Sequence, residues 1–260
     1  MKLTVFASGS GGNCCLVQGG GRSILIDAGI SASRIREGLT RAEVAPASLD
    51  GIFITHEHSD HIRGLSVFLK KAPVPVYAPE TVAAALCRVS PGTDVYLRRF
   101  EPGRPVRFPS LEVVAFPTVH DTLQSVGYRV TAADGTSFAL ATDTGCVTET
   151  MLYWLTGADI ALIEANHDET MLRNGPYPPS LQRRILSDHG HLSNAECTWL
   201  ASVLARRGTR KLVLGHLSKE NNIPGLALRT VRRGLEGTDA ELMVAPVLGF
   251  LEVEASPCFA

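Results

Sequence analysis

The chain has 260 residues, of which 45% are hydrophobic and 20% are charged, and this composition excludes a disordered, collagen-like or disulfide-stapled small protein. Its 25 basic and 26 acidic residues give a net charge of -1, which excludes a general electrostatic attraction to polyanions. Positive charge for a nucleic-acid partner must therefore be local, from a surface patch or from bound metal ions.

Short β-branched apolar runs alternate with helical stretches, and most runs end at polar residues. The pattern predicts strands at 23–27, 52–55, 74–77, 111–116, 127–131, 137–142, 160–164 and 211–214. It predicts helices at about 61–71, 80–89, 181–188 and 195–206. This order indicates an α/β fold in one domain spanning residues 1–260, with its ligands bound where strands end.

The cysteines and the amino terminus indicate a cellular compartment. The six cysteines are scattered and form no C-x-x-C pair, which is typical of a reducing cytosol. The first residues run into a Gly-rich loop without the apolar core of a signal peptide, and no apolar run approaches the ~18 residues of a membrane helix. These features predict a cytoplasmic protein without a membrane partner.

The sharpest signal follows the predicted strand at 52–55, where His56-Glu57-His58-Ser59-Asp60-His61 has the form H-x-H-x-D-H. In extended backbone, residues two apart share one side, so the imidazoles of His56 and His58 can reach one cation. Asp60 and His61 then begin a helix and can project to an adjacent cation. Imidazole and carboxylate donors together suit Zn or Mn.

One hexapeptide cannot complete two metal shells, so further ligands must come from other strand ends. The candidates are His120, Asp143 and His216, each of which follows an apolar strand. A carboxylate such as Asp143 can bridge two cations about 3.5–4 Å apart. Asp27 also follows a strand, but a turn or a hydrogen bond to a ligand histidine is its expected role.

Several segments of the chain resemble the metallo-β-lactamase superfamily. They are Ile26-Asp27-Ala28-Gly29, Thr55 to His61, Thr142-Asp143-Thr144-Gly145 and Gly215-His216. Further segments resemble, within that superfamily, the WalJ/YycJ branch of DNA exonucleases: Ser8 to Cys14, Leu162 to Asp168, Gly190 to Asn194 and His216 to Asn222. The resemblance implies a four-layer αββα metallo-β-lactamase-like sandwich.

The resemblance also implies a ligand set for two divalent metal ions, Zn or Mn. One ion would be held by His56, His58 and His120. The other would be held by Asp60, His61 and His216. Asp143 would bridge the two ions.

Hydrolysis of a phosphodiester needs an activated water and an acid for the leaving oxygen. Two adjacent cations lower the pKa of a shared water towards neutrality, and Asp60 can orient the resulting hydroxide. The acid must be a histidine that is not a metal ligand, and His191 is the candidate. It is expected to lie in a turn before a helix that Ser193 or Asn194 would cap. The amides of that helix can also bind phosphate oxygens. Glu164, at a strand end, can orient the His191 imidazole.

We therefore expect a metal-dependent phosphodiesterase, and the resemblance implies an exonuclease that acts on DNA in the 5′–3′ direction. One alternative on the same scaffold is a thioesterase, lactonase or glyoxalase-like hydrolase, which depends less on a general acid such as His191. Another is a metal-stabilised binding module without turnover. The residues leave open Zn versus Mn, DNA versus RNA, strand polarity and any protein partner.

Overall fold

The computed structural model describes residues 1–255. The first half of the chain forms β1 (Lys2–Ala7), β2 (Cys14–Gly19), β3 (Arg22–Ile26), α1 (Ala32–Arg41), β4 (Gly51–Phe53), α2 (Ser59–Ile62), α3 (Leu65–Leu69), β5 (Val76–Pro79), α4 (Glu80–Val89) and β6 (Leu97–Phe100). The second half forms β7 (Pro105–Phe108), β8 (Leu111–Thr118), β9 (Ser125–Ala132), β10 (Ser137–Ala141), α5 (Glu149–Leu155), β11 (Ile160–Glu164), α6 (Glu169–Asn174), α7 (Pro179–Ile185), α8 (Asn194–Arg206), β12 (Lys211–Gly215), α9 (Pro224–Arg232), β13 (Glu241–Val244) and β14 (Leu251–Glu254). None of these helices is long and apolar enough to cross a lipid bilayer.

The strands form two mixed sheets of seven strands each. The first has the order β14-β1-β2-β3-β4-β5-β6, and the second has the order β13-β12-β11-β10-β9-β8-β7. In both sheets four neighbouring strands are parallel, β3 to β6 in the first and β10 to β13 in the second. Because parallel strands end at the same edge of a sheet, the residues that follow them collect there.

Three apolar clusters hold four layers together. The central cluster lies between the two sheets and contains the fully buried rings of Phe53, Tyr128 and Phe138. The outer clusters pack α1, α3 and α4 against the first sheet, and α5, α8 and α9 against the second. Burying one face of each helix and both faces of each sheet gives the four-layer arrangement. The αββα sandwich expected from the sequence is confirmed.

The predicted helix at 61–71 is wrong, because two short helices, α2 and α3, separated near Gly64 replace it. The Gly64 amide donates a hydrogen bond to the Ala28 carbonyl oxygen over 2.8 Å. A Cβ at this position would lie 2.0 Å from the Ile30 carbonyl oxygen, so only glycine allows the approach. The break brings the turn after β3 against the segment that carries Asp60 and His61.

Two predicted strands also have different bounds. β4 ends at Phe53 rather than at residue 55, because the Thr55 amide donates to the Asp27 carboxylate instead of continuing the sheet. β5 begins at Val76, two residues later than predicted. The other predicted elements are present within a few residues, including α4 and β11 at their predicted bounds.

The central cluster provides a test of the two-sheet packing. Phe53 is fully buried there and stacks on Tyr77 with ring centroids 4.6 Å apart. We expect Phe53→Ala to lower the free energy of unfolding by about 3–5 kcal/mol, because it removes apolar contacts and leaves a cavity. Urea unfolding at a fixed metal concentration measures this change.

The matched control is Tyr153→Ala, since Tyr153 is an aromatic residue that is 73% exposed. A change within about 0.5 kcal/mol is expected for it. Equal effects of the two substitutions would contradict the placement of Phe53.

Candidate metal centre

The predicted ligands follow the ends of strands from both sheets. β4 leads to His56 and His58, and β8, β10 and β12 lead to His120, Asp143 and His216. Asp60 and His61 lie in the short helix α2, which begins directly after His58. The structure brings all seven side chains to one place, in two adjacent clusters.

Three residues that follow strands here have left-handed backbone. The φ angles of Asp27, Asp143 and His216 are 61°, 56° and 53°. Such a conformation costs a non-glycine residue about 1–3 kcal/mol. This conformation reverses the chain sharply at the end of a strand. At the reversal after β12, the His216 amide donates a 2.8 Å hydrogen bond to the Ser8 hydroxyl. Backbone strain is thus concentrated around the clusters.

The first cluster contains His56, His58 and His120, whose ring nitrogens lie within 4.8 Å of one another. His56 and His120 are buried, whereas the side chain of His58 is 34% exposed. Burial lowers the pKa of both buried imidazoles and outweighs the opposing effect of Asp143, so they stay neutral and keep a lone pair. His56 Nε2 is buried without a hydrogen-bond partner among residues 1–255.

The second cluster contains Asp60, His61, Asp143 and His216, also within 4.8 Å. The Nε2 atoms of His61 and His216 lie 3.3 Å from the two carboxylate oxygens of Asp143. They lie 3.4 and 3.5 Å from Asp60 Oδ2. Asp143 Oδ1 is also 3.8 Å from His120 Nε2, so Asp143 faces both clusters.

Buried acceptors outside the clusters fix the tautomers of three imidazoles. His61 Nδ1 donates to Asp27 over 2.7 Å. A hydrogen bond to a candidate ligand histidine is one of the two roles expected for Asp27. His216 Nδ1 donates to Glu164 over 2.9 Å. His120 Nδ1 donates to the Gly190 carbonyl oxygen over 3.2 Å. With the proton on Nδ1, each Nε2 directs a lone pair into the centre, as in many metal sites.

The charges and lone pairs of the second cluster fit a divalent cation. The Nε2 lone pair of His61 faces Asp143 Oδ2, which has no hydrogen-bond partner among the described residues. Two such lone pairs repel unless a cation or a proton lies between them. Burial lowers the pKa of His216, but Asp143, Asp60 and Glu164 outweigh burial and raise it to about 10. The field that favours a proton there also attracts a metal ion.

His191 lies beside both clusters and is held from outside by Glu164. The His191 Nδ1 donates to Glu164 Oε1 over 2.7 Å, the same oxygen that accepts from His216. Burial raises the pKa of Glu164, but His191 and His216 outweigh burial and lower it to about 2, so the group is a carboxylate. The His191 side chain is 19% exposed. The hydrogen bond predicted between these two residues is present.

Contrary to the expectation, three amides at the start of α8, those of Ser193, Asn194 and Glu196, are not available for a phosphate. The Ser193 side chain caps the helix, and the Ser193 amide donates to the Glu196 carboxylate over 2.7 Å. The Glu196 amide donates to the Ser193 hydroxyl, and the Asn194 amide donates to the His167 carbonyl oxygen. The capping box and the bond to His167 satisfy these three donors within the protein.

Two residues that the sequence analysis missed also face the clusters. The Asn13 Nδ2 lies 3.1 Å from His61 Nε2, and it reaches that place because the Asn13 amide donates to the Asp60 carbonyl oxygen. The Asp121 Oδ1 lies 3.1 Å from His120 Nε2. Its position directly after His120 was an available signal, whereas Asn13 approaches α2 only through tertiary packing.

Comparisons with known proteins agree with this geometry. Residues 22–217 match the family model described as the Beta-lactamase superfamily domain. Exodeoxyribonuclease WalJ of Streptococcus pneumoniae is 40% identical over 247 residues, which cover 92% of this chain and 89% of that protein. Exodeoxyribonuclease YycJ of Bacillus anthracis is 36% identical over 239 residues, which cover 91% of this chain and 89% of that protein.

A solved structure shares the fold. Zn²⁺-bound PqqB from Methylobacterium extorquens superposes with a TM-score of 0.75 at 19% identity, over 98% of this chain and all of that one. The family match at 22–217 includes every predicted ligand, from His56 to His216. The chain therefore belongs to the β-lactamase superfamily, in the branch of its WalJ and YycJ relatives.

Proposed function

We propose that this protein is a divalent-metal-dependent phosphodiesterase that acts as a DNA exonuclease in the 5′–3′ direction. The observation that carries the proposal is the pair of histidine and carboxylate clusters that share Asp143, with His191 beside them. The names of the S. pneumoniae and B. anthracis relatives, both exodeoxyribonucleases, support DNA as the substrate.

We further propose a site for two metal ions, Zn or Mn. His56, His58 and His120 would hold one ion, Asp60, His61 and His216 would hold the other, and Asp143 would contact both. The nitrogen and oxygen donors of this set suit both metals. When bound, the ions supply positive charge that acidifies a water and stabilises the charge that develops on phosphate. Since the ligands come from both sheets, we propose one hydrolase domain for residues 1–260.

The protein's own groups position the water and protonate the leaving oxygen. Burial raises the pKa of Asp60, but the neighbouring imidazoles of His216 and His61 outweigh burial and hold it well below its usual range. The ionised Asp60 accepts a hydrogen bond from the attacking water and orients it. Glu164 holds His191 by Nδ1, so the proton on His191 Nε2 passes to the leaving oxygen. Glu164 acts through His191 and is a positioning residue.

Digestion of end-labelled DNA tests the function directly. Wild type and Asp60→Ala are each incubated with 5′-phosphorylated single- and double-stranded DNA in Mn²⁺ or Zn²⁺. We expect progressive release of mononucleotides by the wild type and a rate at least about 100-fold lower for Asp60→Ala, because the attacking water loses its orientation.

Other outcomes of this digestion point to the alternatives. A wild-type protein that contains two bound ions but releases no nucleotide would contradict the exonuclease proposal. Hydrolysis of a thioester or lactone by that protein would favour a small-molecule hydrolase. Binding of DNA without cleavage would favour a binding module.

The acid role of His191 has a specific signature. We expect His191→Ala to lower turnover on DNA by about 10²–10⁴-fold, because the 3′ oxygen is a poor leaving group without a proton. On a nitrophenyl ester of thymidine 5′-phosphate, whose leaving group needs no proton, the loss should stay below about 10-fold. Equal losses on both substrates would contradict the acid role, and loss of bound metal would make His191 a ligand instead.

Metal content tests the two clusters separately. After dialysis, elemental analysis should find two ions per wild-type chain, about one in His58→Ala, and less than one in Asp143→Ala, since Asp143 faces both clusters. Glu57→Gln is the matched control, because Glu57 precedes His58 but accepts a hydrogen bond from Thr122 instead of facing a cluster. Retention of both ions by Asp143→Ala would contradict the shared ligand.

A further inference from the structure

We propose that the cavity beside His191 holds the 5′-terminal nucleotide of the DNA strand, and that the 3′ oxygen of this nucleotide is the leaving group. The inference rests on the proposed function. It adds the position of the strand and a physical reason for the direction of degradation.

The cavity adjoins the metal centre and has a volume of about 160 Å³. His120 and His191 line it on the side of the clusters. An engineered apolar cavity of about 150 Å³ binds one benzene molecule, so a cavity of this size accepts one ring and excludes a run of nucleotides. The cavity therefore fits the base of a single terminal nucleotide.

The large apolar side chains that line the cavity come from one segment. Leu181 and Ile185 lie four residues apart in α7 and share one side of that helix, and Tyr177 lies just before the helix. Tyr177 is half-buried, so part of its ring is free for contact. An aromatic ring is a stacking surface for any base, which suits an enzyme that degrades DNA of any sequence.

Positive charge at the same cavity comes from Arg184, which is 59% exposed. Its guanidinium forms an ion pair with Asp121, and Asp121 Oδ1 lies 3.1 Å from His120 Nε2. The pair fixes the guanidinium relative to the first cluster. The remaining N–H groups of Arg184 are free to bind a terminal 5′-phosphate through charge-assisted hydrogen bonds.

The position of the acid gives the direction of degradation. The water oxygen forms a bond to phosphorus while the P–O3′ bond breaks, and the 3′ oxygen takes the proton from His191 Nε2. One water proton goes to solvent, the remaining strand gains a 5′-phosphate, and the released nucleotide has a 3′-hydroxyl. Because the leaving group lies on the His191 side, where one nucleotide fits, that nucleotide is the 5′-terminal one. A 3′–5′ enzyme with the same products would need the long strand in this cavity.

The test compares two single-stranded DNAs labelled at the 3′ end, one with a 5′-phosphate and one with a 5′-hydroxyl. Each is digested in Mn²⁺ by wild type, Arg184→Gln and Arg183→Gln. Arg183 is exposed on the same helix but lies outside the cavity lining, so it is the matched control. The wild type and Arg183→Gln should cleave the phosphorylated strand at least about 10-fold faster, and Arg184→Gln should lose this preference.

A second measurement distinguishes the loss of nucleotide binding in the cavity from an indirect effect of Arg184→Gln on its ion-pair partner Asp121. The product analogue deoxyadenosine 5′-monophosphate should inhibit the wild type competitively. We expect Tyr177→Ala, which leaves the Arg184 ion pair in place, to weaken this inhibition by at least about 3-fold through lost stacking, with bound metal unchanged. Arg184→Gln should weaken the inhibition as well, and Arg183→Gln should not.

The outcomes distinguish this inference from the proposed function. Degradation from the 3′ end, equal rates on the two 5′ ends, or a preference retained by Arg184→Gln would overturn the cavity assignment while DNA hydrolysis stands. Unchanged inhibition of Tyr177→Ala would overturn the stacking role. Absence of all hydrolysis by the metal-loaded wild type would overturn the proposed function, and the inference with it.

Discussion

The structure depends on hydrogen bonds that fix buried imidazoles by one ring nitrogen. His61 is held by Asp27 and His216 by Glu164, and all four residues are at most 2% exposed. Burying so many ionisable groups is costly unless each is paired. The same pairing leaves the Nε2 lone pairs directed at Asp60 and Asp143, where the charges fit a metal ion. Stability of the folded centre and its capacity to bind a cation therefore have one physical origin.

The backbone around this centre is correspondingly tight. The Gly29 amide donates to the Asn13 carbonyl oxygen, and a Cβ on Gly29 would lie 1.7 Å from the Asp60 carbonyl oxygen. The Gly-rich loop before β2, the turn after β3 and the helix α2 thus pack directly on one another. The left-handed residues at the strand ends add strain, which the packed layers on both sides of the sheets offset.

Glu164 links a candidate metal ligand to the candidate general acid. Its Oε1 accepts from both His191 and His216, so the candidate acid and a candidate ligand are oriented by one atom. A net charge of -1 gives no general attraction to DNA, and attraction must arise at the site. Arg184 lines the same cavity as His120 and His191, and the proposed metal ions would add further positive charge at the site.

The sequence by itself determined the α/β class, most central strands and the seven candidate ligands, because strand periodicity and the H-x-H-x-D-H spacing are local properties. It also paired Glu164 with His191. Only the tertiary structure decided the break at Gly64, the approach of Asn13 to His61, and the double role of Glu164. Each of these depends on contacts between segments that are distant in the chain, and so does the hydrogen bond from the His216 amide to Ser8. No local sequence pattern encodes such contacts.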